Sequence, residues 1–180
     1  MKKQTLCFVF IILTCLLINP LIDTSKLLYA MDILPKWEKT ETTIKIASFN
    51  IQIFGRSKAD KPEVMGTLAK IINEFDLVAI QEIRDSSGTA IDKLEESVDA
   101  LGVDYEYIIG PRLGRSNSKE QYAFMYRTDI IEPISDATYE DPDDLFHREP
   151  FMAYFKLKNG SFDFVLINIH TDPDDATKEI

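Results

Sequence analysis

The spacing of apolar residues changes period several times along the chain, and each change marks an element. Ile44, Ile46 and their apolar neighbours, with Ser48 among them, predict a strand that runs through Ile53 and ends at Gly55. Pro62 suits the first turn of a helix. Val64, Met65, Leu68, Ile71, Ile72 and Phe75 then recur on one helical face. Residues 77–83 predict a buried strand, and residues 89–101 a second amphipathic helix with Ile91, Leu94, Val98 and Leu101 inward and Gly102 as its stop. From Tyr105 onward the pattern is one of short strands, predicted over 105–110, 122–127, 130–135 and 151–158. Asn159-Gly160 is a strong two-residue hairpin signal. It leads into a strand over 162–170, where Phe162, Phe164, Leu166 and Asn168 alternate with Val165, Ile167 and Ile169. A helix begins at Ala176. No repeat or low-complexity tract interrupts this order.

The first thirty residues follow a different plan. Lys2 and Lys3 precede an apolar run over residues 6–18 in which Thr14 is the one polar member, and Asn19-Pro20 closes it. That is the layout of a secretory signal peptide with cleavage near Ala30. A spanning helix needs about 20 apolar residues. Reading the run on through Leu21 and Ile22 leaves an uncleaved anchor as the alternative. Residues 31–43 form a short lead, and residues 44–180 form one domain. Both cysteines, Cys7 and Cys15, lie in the leader, so the exported domain relies on its core or on bound metal for stability rather than on disulfides.

The chain is 45% hydrophobic and 11% aromatic, which excludes wholesale disorder. Its formal net charge of −10 excludes a protein that holds nucleic acid by a bulk basic surface. Cations would have to mediate contact with any polyanion.

Candidate chemistry collects at strand ends. Asn50 interrupts an apolar strand, as a satisfied core amide or as an oxygen ligand to a hard cation. Glu82 closes the strand over 77–83, where a carboxylate is costly unless paired. One amide oxygen and one carboxylate together are the sparse protein ligation that magnesium prefers. His170 follows an apolar strand and precedes a proline-containing turn; it is either a structural histidine or a proton-transfer group. Glu120 is either a solvated loop acid or the carboxylate that would orient such a histidine. The run Glu140-Asp141-Pro142-Asp143-Asp144 is a solvated turn or a source of calcium ligands. There is no glycine-rich phosphate loop, cysteine zinc spacing or nucleophilic serine motif.

These residues in this order resemble the endonuclease/exonuclease/phosphatase superfamily, and within it the deoxyribonuclease I branch. The stretches that carry the likeness are 45–55, with Ser48-Phe49-Asn50, and 79–86, with Gln81-Glu82-Ile83-Arg84. Leu113-Gly114-Arg115, Lys119-Glu120 with Tyr122, Arg148-Glu149-Pro150, and His170-Thr171-Asp172-Pro173 complete it. The resemblance implies an α/β (α+β) fold, a four-layer α/β/β/α sandwich of the deoxyribonuclease I type. It implies metal-dependent phosphodiester hydrolysis, with DNA as the substrate and partner. Carried over, Asn50 and Glu82 are metal-site residues for Mg2+. His170 is a catalytic histidine and Glu120 its carboxylate partner. Arg84, Arg148 and Arg115 are nucleic-acid contacts. Asp141, Asp144, Phe146 and Glu149 fall where the family holds Ca2+. The family's Gly-Asp-Phe-Asn stretch and closing Ser-Asp-His have no counterpart here, and His147 fits no second catalytic role. The sandwich is therefore expected to be incomplete, with an apolar sheet face left uncovered. Taken with the leader, the resemblance implies a secreted or periplasmic endonuclease. The alternatives are a non-catalytic remnant or binding fragment, or a phospholipid or sphingomyelin phosphodiesterase on the same fold.

Overall fold

The structure is a computed structural model that describes residues 43–160, 162–172 and 176–179. The expected leader, most of the lead and Pro173 lie outside the described residues. Among the described residues, seven strands and four helices follow in the order β1 (Ile46–Phe54), α1 (Arg56–Ala59), α2 (Pro62–Ile72), β2 (Leu77–Ile83), α3 (Thr89–Asp99), β3 (Tyr105–Ile109), β4 (Gln121–Arg127), β5 (Ile131–Thr138), β6 (Phe151–Leu157), β7 (Asp163–Asn168) and α4 (Ala176–Glu179).

Two sheets form. The first has the order β1-β2-β4-β3 and the second the order β5-β6-β7. β1 and β2 run parallel, because the α1–α2 segment carries the chain back over the sheet. The remaining pairs are antiparallel. β2 is buried along almost its whole length because it faces two cores. Val78, Ile80 and Ile83 meet Met65, Leu68 and Ile72 of α2 and Ile91, Leu94 and Val98 of α3. Leu77 and Ala79 meet the second sheet. β4 divides likewise, with Ala123 and Met125 toward the helices and Tyr122, Phe124 and Tyr126 toward Phe151, Phe155 and Leu157. Between the sheets Phe124 stacks on Phe151 at 5.7 Å and meets Phe155 edge-on at 5.5 Å. A side chain at Gly110 would come within 3.0 Å of the Phe151 ring, so glycine lets the end of β3 approach the second sheet.

A polar bolt crosses this apolar layer. Asn168, at the end of β7, donates from Nδ2 to the Ile80 carbonyl at 3.0 Å and the Ala123 carbonyl at 3.2 Å. Its Oδ1 accepts from Gln81 Nε2 at 2.6 Å. Asn168 is 1% exposed, yet both functions of its amide are satisfied. It thereby sets β7 against β2 and β4 and fixes where the residues after β7 arrive.

The expected elements are present with few departures. β5 continues to Thr138, and the strand expected through His170 ends at Asn168. Leu101 lies past the end of α3 and is 42% exposed, and Ile71 faces outward at 39%. Helix α1 has no counterpart in the apolar pattern, because one turn buries only Ala59. Among the described residues β1 and β7 are edge strands, with a groove of about 250 Å3 between them over Ser48, Gln81 and Asn168. Val165 and Ile167 of β7 and Ile169 just past it are exposed.

Candidate active site

The site begins where the β1–β2 ladder breaks. Register shifts fall between Asn50 and Phe54 on β1 and between Ile80 and Ile83 on the β2–β4 pairing. Inside this irregularity three non-glycine residues take left-handed backbone: Gln52 (φ 52°), Ile53 (φ 53°) and Glu82 (φ 62°). For a β-branched residue such as Ile53 that conformation is strained, and such strain persists where surrounding structure enforces it. Here it aims main-chain N–H groups at the Glu82 carboxylate and the Asn50 amide oxygen. The Ile53 N–H donates to Glu82 Oε2 at 2.8 Å, and the Gln52 N–H donates to Asn50 Oδ1 at 2.7 Å. Asn50 Nδ2 donates to Glu82 Oε1 at 2.9 Å. Burial pushes the Glu82 carboxyl up. The Asn50 amide, the Ile53 N–H and the nearby His170 and Arg84 outweigh it, so Glu82 ends below the ordinary glutamate value.

Glu120 anchors the other side. Its main chain pairs with Leu113 in both directions, at 2.9 and 2.8 Å, and its side chain is almost fully buried. Two arginines and a histidine surround that carboxylate. Arg84 donates to Oε1 from Nη2 at 2.6 Å and from Nε at 3.1 Å. On Oε2, His170 Nδ1 stands at 3.3 Å and Arg148 Nε at 3.6 Å. A buried carboxylate is tolerable only with such partners. The reading of Glu120 as a solvated loop acid is thereby overturned.

His170 lies two residues past β7. Its Nε2 is 3.9 Å from Glu82 Oε1, so the ring stands between two carboxylates. Its main-chain N–H donates to the Tyr122 hydroxyl at 2.8 Å, and that hydroxyl donates to the His170 carbonyl at 3.3 Å. Arg148 donates to the carbonyls of His170 (3.1 Å) and Thr171 (3.4 Å). With Nδ1 facing Glu120, Nε2 is the nitrogen left for proton transfer.

Asn50, Glu82, Glu120, His170, Arg84 and Arg148 thus meet at one end of the sandwich. Arg84 is one-third exposed and reaches both Glu120 and, at 3.9 Å, Glu82. Arg148 sits differently from a surface contact: its side chain is 8% exposed and clamps the main chain beneath His170. Arg115 is not brought to this cluster and pairs with Asp144 at 3.1 Å. In the acidic loop Asp141 accepts the Phe146 N–H at 2.7 Å, while Asp144 pairs with Arg115. Among the described residues no group of three or more acidic, histidine or cysteine side chains gathers, at Asp141, Asp144 and Glu149 or elsewhere. His147 stands 3.7 Å from Asp172, with no contact to Glu82 or Glu120 among the ion pairs of the site.

A hard cation fits the Asn50–Glu82 pair. Each carboxylate oxygen of Glu82 and Oδ1 of Asn50 accepts one hydrogen bond and retains a second acceptor position. One carboxylate and one amide oxygen suit magnesium, which keeps several waters. Sequence reasoning missed Tyr122 as a support, Asn168 as a bolt and Arg112, whose guanidinium ties the Arg84 and Lys119 carbonyls together. Asn168 had a signal as the one amide in an alternating apolar row, and Tyr122 stood in a stretch that carries the family likeness.

Comparison with known proteins gives the family of the chain. Residues 47–179 match the Endonuclease/Exonuclease/phosphatase family. Human deoxyribonuclease gamma is 36% identical over 145 residues, covering 76% of this chain and 48% of its own length. Human deoxyribonuclease-1 is 33% identical over 162 residues, covering 86% of this chain and 57% of its own. The chain thus spans about half the length of these relatives. A Bacteroides vulgatus protein of the same family superposes with a TM-score of 0.52 at 18% identity, over 76% of this chain and 56% of its own, a likeness of fold.

Proposed function

As a member of the endonuclease/exonuclease/phosphatase family, this chain is one that we propose acts as a secreted, magnesium-dependent endodeoxyribonuclease of the deoxyribonuclease I type. The observation that carries the reading is the contact of His170 Nδ1 with the buried Glu120, with Nε2 turned toward the Glu82–Asn50 pair. Glu82 and Asn50 would hold Mg2+. An ion there supplies charge neutralisation at a phosphate oxygen.

The chain's own residues do the rest. Glu120 orients the imidazole through Nδ1, and two arginines hold Glu120 in place. His170 Nε2 accepts a proton from the attacking water. Arg84, at the mouth of the site, is placed to meet a backbone phosphate. Arg115 could join it on release from Asp144. Contact through a few arginines and bound cations suits a chain of charge −10. Export rests on the signal-peptide layout of residues 1–30.

The test is a plasmid assay with the purified chain. Supercoiled DNA should be nicked with Mg2+, left intact with EDTA, and left intact by Glu82→Ala and His170→Ala. Intact plasmid under all conditions, with headgroup release from phospholipid or sphingomyelin vesicles, would assign the lipid phosphodiesterase instead. For export, the N-terminus of protein recovered outside the cytoplasm should start near Met31.

A further inference from the structure

We propose that Tyr122 is a positioning residue for His170, its hydroxyl fixing the His170 main chain so that the imidazole meets Glu120. The kinetic consequence rests on the nuclease reading above, and the structural consequence does not.

His170 lies beyond the last β6–β7 pairing, at Asn168, so no ladder hydrogen bond holds its main chain. The Tyr122 hydroxyl engages both groups at once, accepting from the N–H at 2.8 Å and donating at 3.3 Å to the carbonyl, which Arg148 also reaches at 3.1 Å. The hydroxyl cannot drift, because Tyr122 is rooted in β4 with its ring 2% exposed in the layer between the sheets. Burial pushes the phenol above its ordinary value, so it stays protonated and remains a donor.

The register of β4 makes this useful. Glu120 and Tyr122 are two residues apart, so they share one face of an extended segment. One holds the imidazole at Nδ1 and the other holds the main chain of the same residue. Two fixed points leave the ring little freedom, and a reacting group displaced by about 1 Å can lose about a hundredfold in rate. Tyr126, equally buried in the same strand, bonds Glu106 at 3.0 Å and touches nothing in the site, which makes it the matched control.

The experiment uses the full chain and its Tyr122→Phe and Tyr126→Phe variants. Plasmid nicking with Mg2+ gives kcat and KM, and nitrogen NMR of the imidazole reports which His170 ring nitrogen carries the proton. Y122F should lose at least tenfold in kcat with KM within twofold, and should lose the Nδ1-protonated preference. Y126F should move neither. Equal effects from both variants, or an unchanged His170 ring in Y122F, overturn the proposal while leaving the nuclease reading intact. If the wild-type chain does not cut, that reading fails and the ring spectra alone decide. If Y122F does not fold, hydrogen exchange at the wild-type His170 amide decides. Protection of tenfold or more is expected, and free exchange overturns it.

Discussion

The Glu120 carboxylate, almost fully buried, stands 3.3 Å from His170 Nδ1, fifty residues away along the chain. The same carboxylate accepts two hydrogen bonds from Arg84. Catalysis and stability therefore meet in one group. E120Q should reduce nicking by about 10²–10⁴-fold, the range of a lost acid–base partner. E120A should also destabilise the fold by about 3–5 kcal/mol, because it strands the buried Arg148 guanidinium without its anion. H170A should abolish nicking with little change in urea midpoint, since His170 is partly exposed. Equal destabilisation by both alanine variants would contradict this division.

Magnesium should stabilise the folded chain through Glu82. At a free concentration one hundred times Kd, one site contributes about 2.7 kcal/mol. The wild-type Tm should rise with Mg2+ and return with EDTA, while E82Q should show no rise. A shift of equal size in E82Q would place the ion elsewhere.

Asp85 links the end of β2 to the start of α3. Its carboxylate accepts the main-chain N–H groups of Ala90 (2.9 Å) and Ser87 (3.1 Å) and the hydroxyls of Ser87 and Thr89. Burial raises its pKa, but these donors outweigh burial and bring it down to about 2. A depressed carboxylate adds stability that is complete above its unfolded value near 3.8 and fades as pH falls toward about 2. D85A should therefore cost about 2 kcal/mol at pH 7, with the gap to wild type closing between pH 4 and pH 2. Urea titrations at those pH values measure it, and a gap independent of pH would refute the charge-based account.

The Asn168 bolt should be worth more than its size suggests. N168A leaves Gln81 and two buried carbonyls without their partner and should cost about 2–4 kcal/mol. Because β7 carries His170 to Glu120, nicking should fall as well. N168A with wild-type stability would show that other groups or water replace the bolt.

Strain at Ile53 predicts an inverted ranking. In an ordinary strand glycine is less stable than alanine by about 0.5–1 kcal/mol. At φ 53° the side chain itself is the burden, so I53G should be the more stable of the two by about 1 kcal/mol in thermal melts. The glycine variant keeps the N–H on Glu82 and should retain nicking.

The layers and the residues that line them were legible in the sequence because burial is periodic. Val78, Ile80, Tyr122 and Phe124 follow strand alternation, and Leu68, Ile72, Leu94 and Val98 follow the helical period. The apolar pattern could not show that Ile71 and Leu101 face water, because each continues a helical stripe whose end only packing sets. Asn50, Glu82, Glu120 and His170 stood out as polar groups at strand ends, and their order carried the family resemblance.

Which of those groups touch was decided only by the folded chain. Local sequence cannot say that Glu120 is buried under two arginines, that Arg148 points inward to the His170 carbonyl, or that Asp144 pairs with Arg115. The Arg148 contact depends on the position of β7 relative to β2 and β4, which Asn168 holds through contacts spanning 45 to 88 residues. Short-range patterning selects which face of each element is buried. Long-range hydrogen bonds between two sheets select the distances, and in this protein those distances place His170 beside Glu120 and within reach of Glu82.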